Sequence, residues 1–545
     1  MEQNIFNFDD KLDKEQDYGN IEYKRELINL DEDKLNRRIT QMKYRIYEGS
    51  GEAFYLIGVC DDGTIQGLNK DEYDESISNL EKISKSIDCY IIKISEYNKN
   101  NNYVGEFLIR ENDKIDTINI KIGVAGNVDS GKSTTVGTLT KGILDDGRGK
   151  ARLHVFNYKH EVSCGRTSSI GHQLMGFDKE GAVVNAKIDK NNAWTDISSR
   201  SSKLISFYDL AGHEKYLRTT IHGLSSLYPD YCLIMIGANM GINHMTREHI
   251  GLCINLKIPF IILVTKIDIV PENILEETIT RINNMCKNRI RKIPYHIKNM
   301  SDIINVIKNI KSDSIVPVIQ ISNVTNHNLD LVKTLLNLLP TRNTFNQNTD
   351  KPIELIIDNT YSVPGHSVIV SGMLKSGIIK VNDNLVVGPF ADSTYKQVKI
   401  RSIHLNFKDL KEANPGSYIC VSLKNITRRE IRKGMIMISD DPTLKIAVKQ
   451  FIAQIHILHS PTTIKEGYTP FVHIEHVRQV VKMLEINKER TSDDTIISDK
   501  LLRCGDKALV KLEFGIKPEF IKIGMRMIFR EGKVKAVGKI IKILS

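Results

Sequence analysis

Residues 123–134 read GVAGNVDSGKST and continue the apolar run INIKIGV at 118–124. The run predicts a short strand that enters a glycine-framed loop and leaves it as STTVGTLTKGIL (133–144), which has helical apolar spacing. From Gly126 to Ser133 the loop matches GxxxxGK[ST] in the strand–loop–helix setting that pattern requires. Glycines let backbone N–H groups turn inward and cradle phosphate oxygens at a helix N-terminus. Lys132 is expected to reach the β- and γ-phosphates, and the Ser133 hydroxyl to ligate Mg²⁺. Asn127, Val128, Asp129, Ser130, Gly131 and Thr134 complete the expected phosphate cradle.

Around this loop the chain alternates strand and helix from residue 117. Strand candidates are TINIKIGV, LISFYDLA, DYCLIMIGA, FIILVTKI and VPVIQIS, and helices such as TREHIGLCINL and LDLVKTLLNLL lie between them. Continuous apolar strands separated by helices predict a mostly parallel, doubly wound sheet covered on both faces. Three further stretches fall at strand ends, where such sheets bind ligands. DLAGHE (209–214) offers Asp209 to hold a water on Mg²⁺; Leu210, Ala211 and the Gly212 N–H are expected to sense the γ-phosphate. VTKID (264–268) presents Thr265, Lys266, Ile267 and Asp268, with Asp268 accepting from guanine N1 and N2 and the Lys266 stem packing along the base. QISNVT (320–325) places Ser322 beneath the guanine oxygen. A carboxylate aimed at two base donors leaves unpaired polar groups when adenine is offered, so the expected ligand is GTP or GDP.

After Pro340 the helices stop, and turn-punctuated strands predict two β-barrels, at 350–442 and 445–545, joined near DDP at 440–442. The nucleotide domain is expected over 117–345 and a small α+β domain over 21–116. In that small domain IEYKRELINL and LNRRITQMKYRIYEG have helical spacing, and AFYLIGVCDDGTIQGL reads as a hairpin around Asp-Asp-Gly. Residues 1–20 read as a disordered polar tail, too acidic for a signal peptide. The 76 basic and 66 acidic residues give +10, which leans towards a polyanionic partner. Basic stretches KQVKIRSIH (396–404) and KNITRREIRKG (424–434) fit RNA or an exposed hairpin equally. Eight cysteines without CxxC pairing, and apolar runs too short to span a bilayer, predict a cytoplasmic chain with no membrane contact.

With GNVDSGKST, DLAGHE and VTKID in place, the chain resembles the translation-factor GTPases of the elongation factor Tu and elongation factor 1-alpha superfamily. Asp129 in the loop and His213 after the DxxG glycine carry that resemblance. It continues through VPGHSVIVSGMLKSG (363–377), HSPTTIKEGYTPFVHI (459–474) and IKIGMRMIFREGKVKAVGKI (521–540). HEVSCGRTSSIGHQLMGFD (160–178) and the N-terminal stretch look like the GTP-binding protein 1 family. The resemblance implies that Thr167 ligates Mg²⁺ over the γ-phosphate and that His213 orients the attacking water. It implies a monomeric GTP-switched carrier of aminoacyl-tRNA that works with the ribosome. The alternatives are an adaptor for RNA-decay proteins and a metabolic GTPase of sulfate-activation type. Two departures stand out: Thr265 replaces the usual asparagine, predicting lower nucleotide affinity, and Arg166 replaces the apolar partner of Val128 in a gate over the catalytic histidine. Trp194 reads as a local anchor for the insert that carries it.

Overall fold

The computed structural model describes residues 12, 14–112, 118–156, 158–165, 167–185, 193–342, 345–362, 368–488, 500–531 and 534–544. Arg166 and residues 363–367 lie outside them, as does most of the polar tail. The chain divides into two compact units. The first comprises Met1–Glu214, Pro229–Ile250 and Pro259–Arg342; the second comprises Lys215–Tyr228, Gly251–Ile258 and Asn343–Ser545.

The first unit is built on an eight-stranded sheet in the order Ile293–His296, Ile315–Gln320, Phe260–Thr265, Tyr231–Gly237, Ile118–Gly126, Lys203–Asp209, Gly171–Phe177 and Val183–Val184. The first six strands run parallel; the seventh pairs antiparallel to the sixth, and the eighth antiparallel to the seventh. Tyr231–Gly237 and Phe260–Thr265 are buried along their whole length, which is why they read as unbroken apolar runs. The strand following Ile118–Gly126 in the parallel set lies on one side of it and the next on the other. The connections therefore diverge at the end of Ile118–Gly126 and leave a crevice there, occupied by the GxxxxGKS loop. Trp194 packs edge-on against His172 at 4.7 Å, within a small cluster of Leu174, Val184, Ile197 and Leu204.

The N-terminal part of this unit is a four-stranded sheet, Ile21–Lys24, Glu52–Ile57, Asn102–Glu111 and Cys89–Lys99, with helices Glu32–Glu48 and Lys70–Ser86. One local expectation fails here and another holds only around its turn. IEYKRELINL opens as a strand, because Ile21–Lys24 pairs in parallel with Phe54–Ile57 and that pairing overrides helical spacing. AFYLIGVCDDGTIQGL does turn back at Asp-Asp-Gly, where Cys60 N–H donates to the Thr64 carbonyl at 2.9 Å and Val59 bridges Ile65, but the hairpin is short: its first half pairs with Gly105–Ile109 instead. Glu15, within the stretch read as tail, binds the Arg45 guanidinium at 2.5 Å.

This sheet is fastened to the nucleotide-domain sheet by buried ions. Glu52 accepts from Arg110 Nε at 2.8 Å and Lys203 Nζ at 2.9 Å; Arg110 also reaches Asn337 Oδ1 at 2.8 Å. Lys203 donates to the carbonyls of Asn337 and Leu339, each at 2.7 Å. Phe54, Ile92 and Leu108 join one continuous core with the strands of the parallel sheet.

In the second unit, strands Asn384–Gly388, Ile436–Ser439, Glu354–Tyr361, Ile369–Ser376, Tyr418–Lys424 and Lys396–Leu405 pair in a ring that the contact of the first with the last closes. A second closed barrel follows: Gln450–His459, Lys507–Phe514, Val477–Lys488, Phe471–Ile474, Arg526–Glu531 and Val534–Ile543. Each has its own apolar centre. A 3₁₀ turn at Pro442–Leu444, capped by Asp441, marks the predicted joint between them.

Candidate nucleotide-binding site

The phosphate-side residues predicted from the sequence converge on one cleft of about 420 Å³, counted to its open mouth. Val128, Asp129, Gly131, Lys132, Ser133, Thr134, Thr167, Gly212 and His213 all line it. Lys132 begins the helix Lys132–Lys141, so its own backbone and that of Ser133 sit at the positive helix end. Its ammonium is buried and donates to the Asn127 carbonyl at 2.6 Å, while burial pushes its pKa below the ordinary lysine value. Ser130 also caps Asn127, at 2.8 Å, folding the loop back on itself. Gly212 presses against this loop: a Cβ there would stand 2.5 Å from Lys132 Nζ and 2.7 Å from the Gly126 carbonyl. Leu210 and Ala211 are buried behind it, and Leu210 N–H donates to Val124 at 3.0 Å.

Three oxygen-bearing side chains meet at the rear of the cleft. Ser133 Oγ donates to Asp209 Oδ2 at 2.6 Å and lies 2.9 Å from Thr167 Oγ1, which itself donates to Asp209 Oδ2 at 3.3 Å. Asp209 is buried; desolvation raises its pKa, opposed by Lys132 and the Ser133 bond. Its second oxygen, Oδ1, is buried without a hydrogen-bond partner. Hard oxygen donors plus an orphaned carboxylate oxygen suit a Mg²⁺ ion.

The base-reading loop sits at the ends of two neighbouring strands. Lys266 adopts a left-handed conformation (φ 61°), and the turn Ile267–Ile269 leaves Asp268 exposed to solvent. Ser322 is buried and accepts from the N–H groups of Val324 and Thr325 at 3.2 and 3.1 Å, so its hydroxyl shapes its own loop. Thr265 Oγ1 donates to the Ser130 carbonyl at 2.9 Å, binding this loop to the phosphate loop. Where the residue type had suggested a lost contact to the purine, the structure gives the hydroxyl a partner in the protein. Of the gate residues, Val128 lines the cleft, while Arg166, which replaces its apolar partner, lies outside the described residues.

Two carboxylates that the sequence reading passed over organise the site. Buried Glu161 accepts from the backbone and hydroxyls of Ser168 and Ser169, between 2.7 and 3.2 Å, and so fixes the chain next to Thr167. Asp145 accepts from the N–H groups of Gly147, Gly149 and Ala151 and holds the loop after the phosphate-binding helix. The Asp-Asp-Gly run there is an Asx-turn signal that could have exposed the second. Glu161 carries no comparable local signature.

Three family models match the chain. Residues 117–341 match the elongation factor Tu GTP binding domain, 367–438 match elongation factor Tu domain 2, and 445–544 match the elongation factor Tu C-terminal domain. The chain is 41% identical to GTP-binding protein 1 of Xenopus laevis over 95% of its own length and 78% of that protein. It is 37% identical to GTP-binding protein 2 of Homo sapiens over 97% of its length and 88% of that protein. Its fold resembles translation elongation factor SelB from Methanococcus maripaludis (TM-score 0.55, 19% identity, 79% of this chain and 80% of that one). A glycine loop, a DxxG strand end and a TKxD turn on one parallel sheet, followed by two barrels, place this chain in the GTP-binding protein 1 and 2 group of the elongation factor Tu-type GTPases.

Proposed function

We propose that the cleft binds GTP with Mg²⁺ and that the chain hydrolyses it to GDP and phosphate. The observation that carries this is the meeting of Ser133, Thr167 and the half-satisfied Asp209 beside buried Lys132. Ser133 and Thr167 would hold the ion directly and Asp209 through water; when bound, the ion offsets charge on the β- and γ-phosphate oxygens. Lys132 exchanges its bond to the Asn127 carbonyl for a phosphate oxygen, and the N–H groups of the loop receive the rest. Asp268 reads the guanine edge, and Lys266 flanks it. His213, half-buried at the cleft wall next to Gly212, orients the attacking water. The water oxygen bonds to the γ-phosphorus as the bond to the β–γ bridging oxygen breaks. That oxygen leaves on GDP with the electron pair, and the water's proton ends on the released phosphate.

The second unit supports an RNA partner. Arg218, Arg432, Lys433, Arg478 and Lys517 line a cleft of about 760 Å³, counted to its mouth, with Glu519 as its acid. His473 and His476 face it, each nearly fully buried with both ring nitrogens unpartnered among the described residues. Cations this concentrated, beside donors with nothing to bind, suit phosphate oxygens. Arg218 stands 5.0 Å over the Phe471 ring, on the helix Leu217–Ser226 that follows His213 in sequence. This favours a GTP-switched carrier of an aminoacyl-tRNA that meets the ribosome. A cytoplasmic setting fits seven free cysteines among the described residues, where no helix is long and apolar enough to cross a membrane.

Calorimetry with GTP and GDP tests the nucleotide reading, and Asp268→Asn should move preference towards xanthosine nucleotides. Unchanged guanosine binding in that variant means that another residue reads the base. Capture of charged tRNA by the chain loaded with a non-hydrolysable GTP analogue, lost with GDP and falling steeply with salt, supports the carrier. Protein complexes without RNA support the adaptor instead.

A further inference from the structure

Arg152 lines the phosphate end of the nucleotide cleft, alongside Lys132, Ser133, Thr167, Gly212 and His213, although no recognised motif contains it. It sits on the one-turn helix Lys150–Leu153, and three contacts fix that helix. Asp145 Oδ1 takes the Ala151 N–H at 3.0 Å, and Asp145 N–H in turn donates to the Asn323 carbonyl at 2.9 Å. On the other side, Gly137 of the phosphate-binding helix abuts the Ala151 carbonyl so closely that a Cβ at residue 137 would overlap it. The platform carrying Arg152 is therefore built on the helix that begins with Lys132.

Two left-handed glycines make room for the guanidinium. A Cβ on Gly149 (φ 94°) would collide with its Nε, and one on Gly165 (φ 66°) would stand 3.3 Å from Nη2. Gly165 is two residues before Thr167, so the guanidinium lies at the γ-phosphate side, away from Asp268. Among the described residues no carboxylate is within ion-pair distance of Arg152. The other enclosed arginines of this unit are neutralised: Arg45 by Glu15 and Glu22, and Arg110 by Glu52. A half-buried guanidinium carried into the cleft on a fixed helix, without an anion among the described residues, is arranged for one that arrives.

We propose that Arg152 is an arginine supplied in cis to the triphosphate, stabilising charge on the phosphate oxygens as the γ-phosphoryl transfers. The proposal rests on the reading that this cleft holds GTP. A planar fork can bridge two phosphate oxygens, which a lysine cannot match. Arginines in this role raise turnover by about 10³–10⁵ in other GTPases.

The test compares full-length wild type, Arg152→Ala and Arg152→Lys by calorimetry with GDP, by binding of GDP with aluminium fluoride, and by intrinsic single-turnover GTP hydrolysis. Arg152→Ala should keep GDP affinity within about threefold, lower hydrolysis at least about 10²-fold and lose the response to aluminium fluoride. Arg152→Lys should recover little of either. Hydrolysis at the wild-type rate in both variants overturns the proposal and leaves the GTP reading standing. So does a parallel loss of GDP affinity and hydrolysis, which would make Arg152 a structural residue. Absence of guanine nucleotide binding by the wild type would sink the cleft reading, and this proposal with it.

Discussion

The hydroxyl of Thr265 donates to the carbonyl of Ser130 at 2.9 Å, which makes the base-reading strand end and the phosphate loop one mechanical piece. Both residues are buried, so water cannot replace the bond. Thr265→Val keeps the shape and orphans the Ser130 carbonyl, at a cost of about 1–3 kcal/mol. GTP and GDP affinities should fall together, by about tenfold or more, as calorimetry would show. A loss confined to GTP would place the hydroxyl's role at the γ-phosphate instead.

His213 lines the cleft beside Gly212 without belonging to the cradle that holds the phosphates. His213→Ala should keep nucleotide affinity and slow GTP hydrolysis by about 10²–10⁴, the usual worth of a positioned proton-transfer or water-orienting group. Equal damage to affinity would assign it to the fold.

Glu52 is the single carboxylate between Arg110 and Lys203, all three with side chains no more than 2% exposed. Glu52→Gln leaves two buried cations without a counter-ion and should cost about 3–5 kcal/mol of the first unit's stability, measured by urea unfolding. A cost below about 1 kcal/mol would mean that the backbone acceptors at Asn337 and Leu339 already satisfy Lys203.

Acid should loosen the protein through its buried histidines. Burial, and for His473 also Arg478, holds His473 at about 3; burial holds His476 and His172 at about 4. The unfolded chain takes up protons below about pH 6.5 that the folded chain refuses until these lower values. Stability is thus flat above that range and falls as pH drops through it, by up to about 1.4 kcal/mol per pH unit for each histidine. His476→Gln should flatten the slope of the second unit's acid unfolding curve by roughly one proton; an unchanged slope would show that His476 titrates normally.

The parallel sheet was legible because its strands are buried on both faces, and continuous apolar runs such as FIILVT leave no other reading. The phosphate loop, DxxG and TKxD stretches were legible for a related reason: each is a short contiguous segment whose local geometry sets its chemistry. IEYKRELINL misled because a four-residue edge strand contributes few pattern positions, and its partner, Phe54–Ile57, lies some thirty residues away.

Arg152 was invisible for the same reason in reverse, since only folding brings it to the cleft beside Lys132, Thr167 and Gly212; Glu161 acts on Ser168 and Ser169 without a local signature, whereas Asp145 stood in a readable Asx-turn. Chain order alone pointed to a nucleotide, since backbone N–H groups, a lysine and a serine within eight residues act on one another wherever that loop folds. Packing alone settled which charges are neutralised: Arg110 meets Glu52 across 58 residues, while Arg152 meets no carboxylate among the described residues. Desolvation makes the difference, because a cation's cost depends on its surroundings in space and not on its neighbours in sequence.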